Sequence, residues 1–223
     1  MPTSNGDRCE IVYETFSSFE GLMAKSTNQK NLWKIGINLS VTYRPRRNFT
    51  LAHEIGHFIA HRYKQDVFQC TTGALNGLEV AAFEVEANEF AADLLMPADE
   101  FRLISNSEKF THENVSQISE KFGVSRAAAA YRWIKLSSRA IAFVIARDGM
   151  ICSGRASDKL FRSGCSIKSG EEVPVLSNVS LIPGQLRTGK ATSKSWHAFY
   201  DCDQSEYATE VGDYVYIYLD FGF

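Results

Sequence analysis

Hydrophobic and polar positions change period several times along the chain, and each change marks an expected element. Between residues 9 and 19, Ile11, Tyr13 and Thr15 alternate with Val12, Glu14 and Phe16, the two-residue period of a strand. Residues 32–42 alternate less cleanly but are β-branched and aromatic, so they form a second strand candidate, with a polar, turn-like segment at 26–31 between the two. This second strand is read either as an edge that pairs with an extended peptide or as an ordinary internal strand. Phe49, Leu51, Ala52, Ile55, Phe58, Ile59 and Ala60 then cover most sides of a helix, which predicts a buried helix capped by Asn48 or Thr50. Arg44-Pro45-Arg46-Arg47 just before it reads as a solvated turn rather than an anion-binding patch.

Residues 79–97 are a second helical run, rich in Ala and Leu and ended by Pro97. The connection at 62–78 is long for a compact domain and reads as a lid beside a cleft or as disorder. Another helix starts after Pro97. Thr111 then caps a helix–Gly123 turn–helix outline that runs to Leu136. A DNA reader wants several basic or amide side chains at the start of its second helix. Here Arg126 is followed by four alanines, which suit close packing, so nucleic-acid binding is not expected. After residue 138 the pattern turns to β-like runs: 140–147 and 150–154 joined by Asp148-Gly149, a hairpin signal, and 213–221, aromatic enough for a central strand. The division expected is a core at 1–110, a helix-turn-helix-like subdomain at 111–138 and a β-rich sensor- or docking-like domain at 139–223.

Composition narrows the picture. The chain has 223 residues, 44% of them hydrophobic, enough for a real core, and a formal net charge of −2 gives no general pull toward nucleic acid or anionic membrane. No run of about 18 apolar residues suggests a membrane span. The first eight residues lack the apolar stretch of a secretory signal. Five cysteines, odd in number and without a Cys-x-x-Cys, read as reduced thiols. A cytoplasmic location is expected.

The candidate chemistry lies in the first buried helix, as His53-Glu54-Ile55-Gly56-His57. Residues four apart share a helix face, so His53 and His57 can aim two imidazoles at one point. Two imidazoles and a carboxylate hold Zn²⁺ with one position left open, and such an ion lowers the pKa of water from about 15.7 to about 7. Glu54, displaced around the helix, would take the proton and return it to the leaving amine. The third ligand is expected 27 positions after His57. There Glu84, Asn88, Ala91 and Leu95 follow one helix face, continuous with Ala87 and Leu94, and a carboxylate on a core-facing stripe needs a partner. Glu84 is that ligand and Glu86 the fallback, otherwise solvated with Glu89. Asn88 would bond the free ring nitrogen of a ligating histidine. His61, one turn past His57, is carried away from a shared metal by the helix and reads as support. Trp196, His197, Tyr200 and Tyr207 are the polar aromatics to watch as oxyanion partners.

The two stretches "FTLAHEIGHFIAH" and "EVEANEFAADLLMP" resemble the ImmA/IrrE-type metallopeptidases across about residues 31–97, more weakly to about 136. The resemblance implies an α+β, zincin-like core, zinc on His53, His57 and Glu84, and Glu54 as base. It also implies a protein substrate, a DNA-binding repressor cleaved in response to stress or DNA damage. The alternatives are a non-catalytic zinc-bearing regulatory module, of the toxin–antitoxin or signalling kind, and, behind it, a DNA-binding regulator acting through 111–136. A purely structural site would close its coordination with a fourth side chain and have no use for Glu54.

Overall fold

A computed structural model describes residues 6–70, 78–174, 187–192, 196 and 203–222. The backbone groups into two compact units, Met1–Pro97 with Phe122–Ser125, and Ala98–Lys121 with Arg126–Phe223. Together they form an α+β protein with a β-rich C-terminal part.

The first unit opens with β1 (Arg8–Glu14), β2 (Gly21–Lys25) and β3 (Leu32–Asn38), and closes its sheet with β4 (Val67–Cys70) in the order β1-β3-β2-β4. β1 runs parallel to β3, while β2 is antiparallel to both of its neighbours, β3 and β4. One open reading is decided here and one expectation changes. The strand at 32–42 is internal, since β1 and β2 flank it, so it offers no free edge. The connection at 62–78 contains β4, whose free side is the sheet edge, while 71–77 lie outside the described residues. The local pattern had also given no sign of β2.

Helix α1 (Arg44–Ala60) lies on this sheet, with Phe58 packed among Met23, Trp33, Ile35, Ile37 and Phe68. It begins four residues before Asn48. Tyr43 is its N-cap without a side-chain hydrogen bond, and Pro45 occupies the first turn, where a missing N–H costs nothing. The arginine run is therefore helix. Thr50, a capping candidate, instead bonds back from its hydroxyl to the Arg46 carbonyl at 3.0 Å. The helix is also less enclosed than its composition suggests, because Ile59 is half exposed.

Helix α2 (Leu78–Leu95) packs along α1. Gly56 makes the close approach possible: a Cβ there would stand 3.1 Å from Phe90 Cδ1 and 3.2 Å from Ala87 Cα. Ala87 and Ala91 are buried on this side of α2, but Leu94, expected on the same stripe, is exposed.

The second unit holds α3 (Ala98–Ser107), α4 (His112–Phe122, apart from its last residue) and α5 (Arg126–Leu136). The Thr111 hydroxyl caps α4 by accepting from Asn114 N–H at 3.3 Å. On α5 the buried positions are Ala129, Ala130, Arg132, Trp133 and Ile134, so half of the alanine run is packed inside. The strands β5 (Ile141–Arg147), β6 (Met150–Ala156), β7 (Arg187–Thr192), β8 (Asp203–Val211) and β9 (Tyr214–Asp220) form an antiparallel sheet ordered β6-β5-β9-β8-β7, with short α6 (Asp158–Arg162) after β6. Asp148 and Gly149 turn the β5–β6 hairpin at φ of 51° and 78°, the left-handed pair such a turn demands. β9 is central.

Both faces of this sheet are covered, which explains why 140–146 is apolar without a break. Ala142, Val144, Ile217 and Leu219 face a core that includes Leu160 and Trp196. On the opposite face Phe143 and Tyr218 meet Tyr131 and Phe110, and Phe110 in turn meets Trp133. Among the described residues no helix is long and apolar enough to cross a membrane.

Gly56→Val tests the α1–α2 contact. Added bulk meets the Ala87 backbone, which cannot rotate away, and overpacking of this kind costs about 1–3 kcal/mol. A lowered denaturant midpoint for the first unit is the expected outcome, read by far-UV circular dichroism.

Candidate metal centre

His53, Glu54 and His57 are all buried in the middle of α1, at 1%, 0% and 1% exposure. The two histidines turn toward α2 one helical turn apart, with their Nε2 atoms 3.0 Å from each other. Glu84 completes a triangle from α2: its Oε2 lies 3.1 Å from His53 Nε2 and its Oε1 3.3 Å from His57 Nε2. Among the described residues this is the one group of His, Cys, Asp or Glu side chains whose ligand atoms converge closely enough to hold a metal ion.

The surroundings fix how the groups point. Asn88 Oδ1 lies 3.0 Å from His53 Nδ1. An amide oxygen only accepts, so the His53 proton belongs on Nδ1 and its Nε2 lone pair faces Glu84. The His57 ring stacks on Phe68 of β4, with centroids 4.6 Å apart. His61, at the C-cap of α1, does not reach the triangle; its Nδ1 lies 3.0 Å from His57 Nδ1 and its Nε2 2.9 Å from Glu86 Oε2. Glu86 is thus away from the ligand atoms and paired with a histidine.

The electrostatics suit the cluster to a cation. Hydrogen bonds from the His53 and His57 rings would pull Glu84 down to about 2 in the tautomer with protons on Nε2; with Nε2 bare, as a metal requires, a cation would take over that role. Burial lowers His57, favouring the neutral ring. Glu54 sits beside them with both carboxylate oxygens buried and lacking a hydrogen-bond partner among the described residues. Burial, and next the neighbouring Glu84 charge, push it up to about 8. Lone pairs and carboxylates converging in a buried space are mutually repulsive, and a divalent cation answers all of them at once. The donor set therefore fits a metal: two imidazoles and one carboxylate, with no fourth side chain among the described residues closing the coordination.

Two contributors carried no usable signal in the sequence. Gly21, the first residue of β2, lies under Glu54; a Cβ there would come 2.7 Å from Glu54 Oε1 and overlap the Thr50 methyl. Phe68 packs on His57 from a strand too short to stand out. Of the polar aromatics, Trp196 lies in the core of the second unit and Tyr207 on β8 is half-buried. His197 and Tyr200 lie outside the described residues.

Comparison with known proteins follows the same lines. A Mycobacterium tuberculosis transcriptional regulator shares the fold at a TM-score of 0.51 and 12% identity, over 97% of this chain and 66% of that one. The chain thus spans just under two thirds of that protein's length, and at this identity the likeness is one of fold. No curated protein sequence matches. The profile of the IrrE N-terminal-like domain, peptidase family M78, matches residues 9–133, more than half of the chain and all of the α1–α2 site. The chain belongs to the M78, IrrE-type metallopeptidase family.

Proposed function

We propose that the protein is a zinc-dependent endopeptidase that cuts a specific cytosolic protein, a DNA-binding repressor. The observation that carries this reading is the pairing of an open three-ligand set, His53, His57 and Glu84, with a buried carboxylate, Glu54, that has no hydrogen-bond partner among the described residues. A zinc ion there would supply Lewis-acid polarisation of a carbonyl and acidification of water. Other borderline divalent ions suit imidazole as well. Zinc is chosen because the set combines two histidines and a carboxylate with an open position.

The chain's own residues do the rest. Glu84 supplies the negative charge that a dication requires, and Asn88 holds His53 with Nε2 free. Glu54 moves the proton: its carboxylate takes one from the attacking water and passes it to the departing amide nitrogen. Positive charge in the site favours the ionised form of Glu54 and so opposes the effect of burial. Gly21 leaves the room in which this carboxylate lies.

Family membership supports a protein substrate, and the fold shared with a protein named as a transcriptional regulator supports the choice of a repressor. Cys152 and Cys165 are free thiols, which suits a reducing cytoplasm. The β-rich part is proposed to dock the substrate or sense the triggering stress. The packed face of α5 supports a scaffold rather than a base-reading role for the helix pair.

Two variants test the reading. Glu84→Gln should weaken zinc binding relative to a wild type carrying about one zinc per chain, measured by elemental analysis after dialysis. Glu54→Gln should keep its zinc and its circular dichroism spectrum while losing cleavage by about 10²–10⁴-fold. Cleavage is followed by mass spectrometry of co-incubated repressors. A wild type with no zinc after reconstitution, or an active Glu54→Gln, would reject it.

A further inference from the structure

His61 and Glu86 stand outside the ligand triangle yet are joined to it. We infer that they form a relay that positions His57, fixing which of its ring nitrogens faces the metal; this rests on the metal reading proposed above. Glu86 Oε2 is a carboxylate oxygen and can only accept, so at 2.9 Å the proton of the contact sits on His61 Nε2. With that single proton on Nε2, the His61 Nδ1 lone pair can accept from His57 Nδ1 at 3.0 Å, which makes His57 the donor of that contact. Its remaining nitrogen, Nε2, is left bare and faces Glu84 and His53.

His61 has little freedom to do otherwise. It is 2% exposed, its backbone N–H bonds the His57 carbonyl at 2.8 Å, and its ring lies against Phe83 at 4.7 Å. The two ligating histidines are consequently held by different means. His53 is held by a neutral amide, whereas the chain holding His57 ends on a carboxylate, which raises the basicity of a ligand. The rival account is that His61 merely fills space between aromatic rings at the end of α1. That account makes an apolar ring of similar shape harmless to metal binding.

The experiment is zinc affinity of the full chain, by competition with a chromogenic chelator, for wild type, Glu86→Ala, Glu86→Gln, His61→Phe and the double variant Glu86→Ala/His61→Phe. Loss of an outer partner of this kind typically weakens a metal by about 10–100-fold, and that is expected for Glu86→Ala and His61→Phe. Glu86→Gln, which keeps an oxygen acceptor, should recover much of the loss. The double variant should bind no more weakly than His61→Phe, because both changes break one chain. Nitrogen-15 NMR of the wild type should show the His57 proton on Nδ1. Glu86 is 66% exposed, so its variants keep the test valid if His61→Phe does not fold. Unchanged affinity in Glu86→Ala, or additive losses in the double variant, overturns the relay alone. A wild type that takes up no zinc overturns the metal reading and the relay with it.

Discussion

The first unit is built around an electrostatic problem: four ionisable side chains, His53, Glu54 and His57 of one helix and His61 at its C-cap, are buried together. An apolar core would reject them unless every lone pair and proton found a counterpart. Helix α2 provides most of the counterparts, with Glu84 on the two ligating imidazoles, Asn88 on the first of them and Glu86 on His61. The close seating of the helices at Gly56 is a condition for this, since the polar contacts are all near 3 Å and a wider spacing would break them together. Glu54 is the exception, a buried carboxylate with no hydrogen-bond partner among the described residues.

The sheet beneath α1 has a matching task. β2 brings Gly21 under Glu54, where no side chain could be tolerated without displacing the carboxylate or Thr50. β4 sends Phe68 against the His57 ring. The floor of the site is therefore made by the smallest residue on one strand and an aromatic on its neighbour. The second unit solves a plainer problem, the covering of a five-stranded sheet on both faces, and does so with apolar packing and aromatic edge contacts.

The site was far more legible in the sequence than the sheet around it. His53, His57, Glu84 and Asn88 are spaced by helical period on two long helices, and such spacing survives without tertiary context. The Asp148-Gly149 turn was readable because it has local chemistry of its own. β2 and β4 were not: they are five and four residues long, too short for alternation to be told from chance. The place of β3 inside the sheet depends on which strands flank it, which no periodicity encodes. The start of α1 was hidden because Pro45 and three arginines look like a turn until the first helical turn is recognised as tolerant of proline. Glu86 looked solvated, and two thirds of its side chain is; what escaped notice was its one bond inward to His61.

His57 and Glu84 are 27 positions apart in the chain, and in the unfolded polypeptide nothing holds them together. A cation gripped by both closes that stretch into a ring, and it binds the folded arrangement in preference to the open one. Ligand linkage then adds about 2.7 kcal/mol to folding when the free ion stands at a hundred times its dissociation constant, and nothing when the ion is scarce. With an ion in this triangle, the endurance of the unit would be a thermodynamic function of ion supply. If the site holds such an ion, a shortage of it would empty the triangle and also thin the population of folded chains.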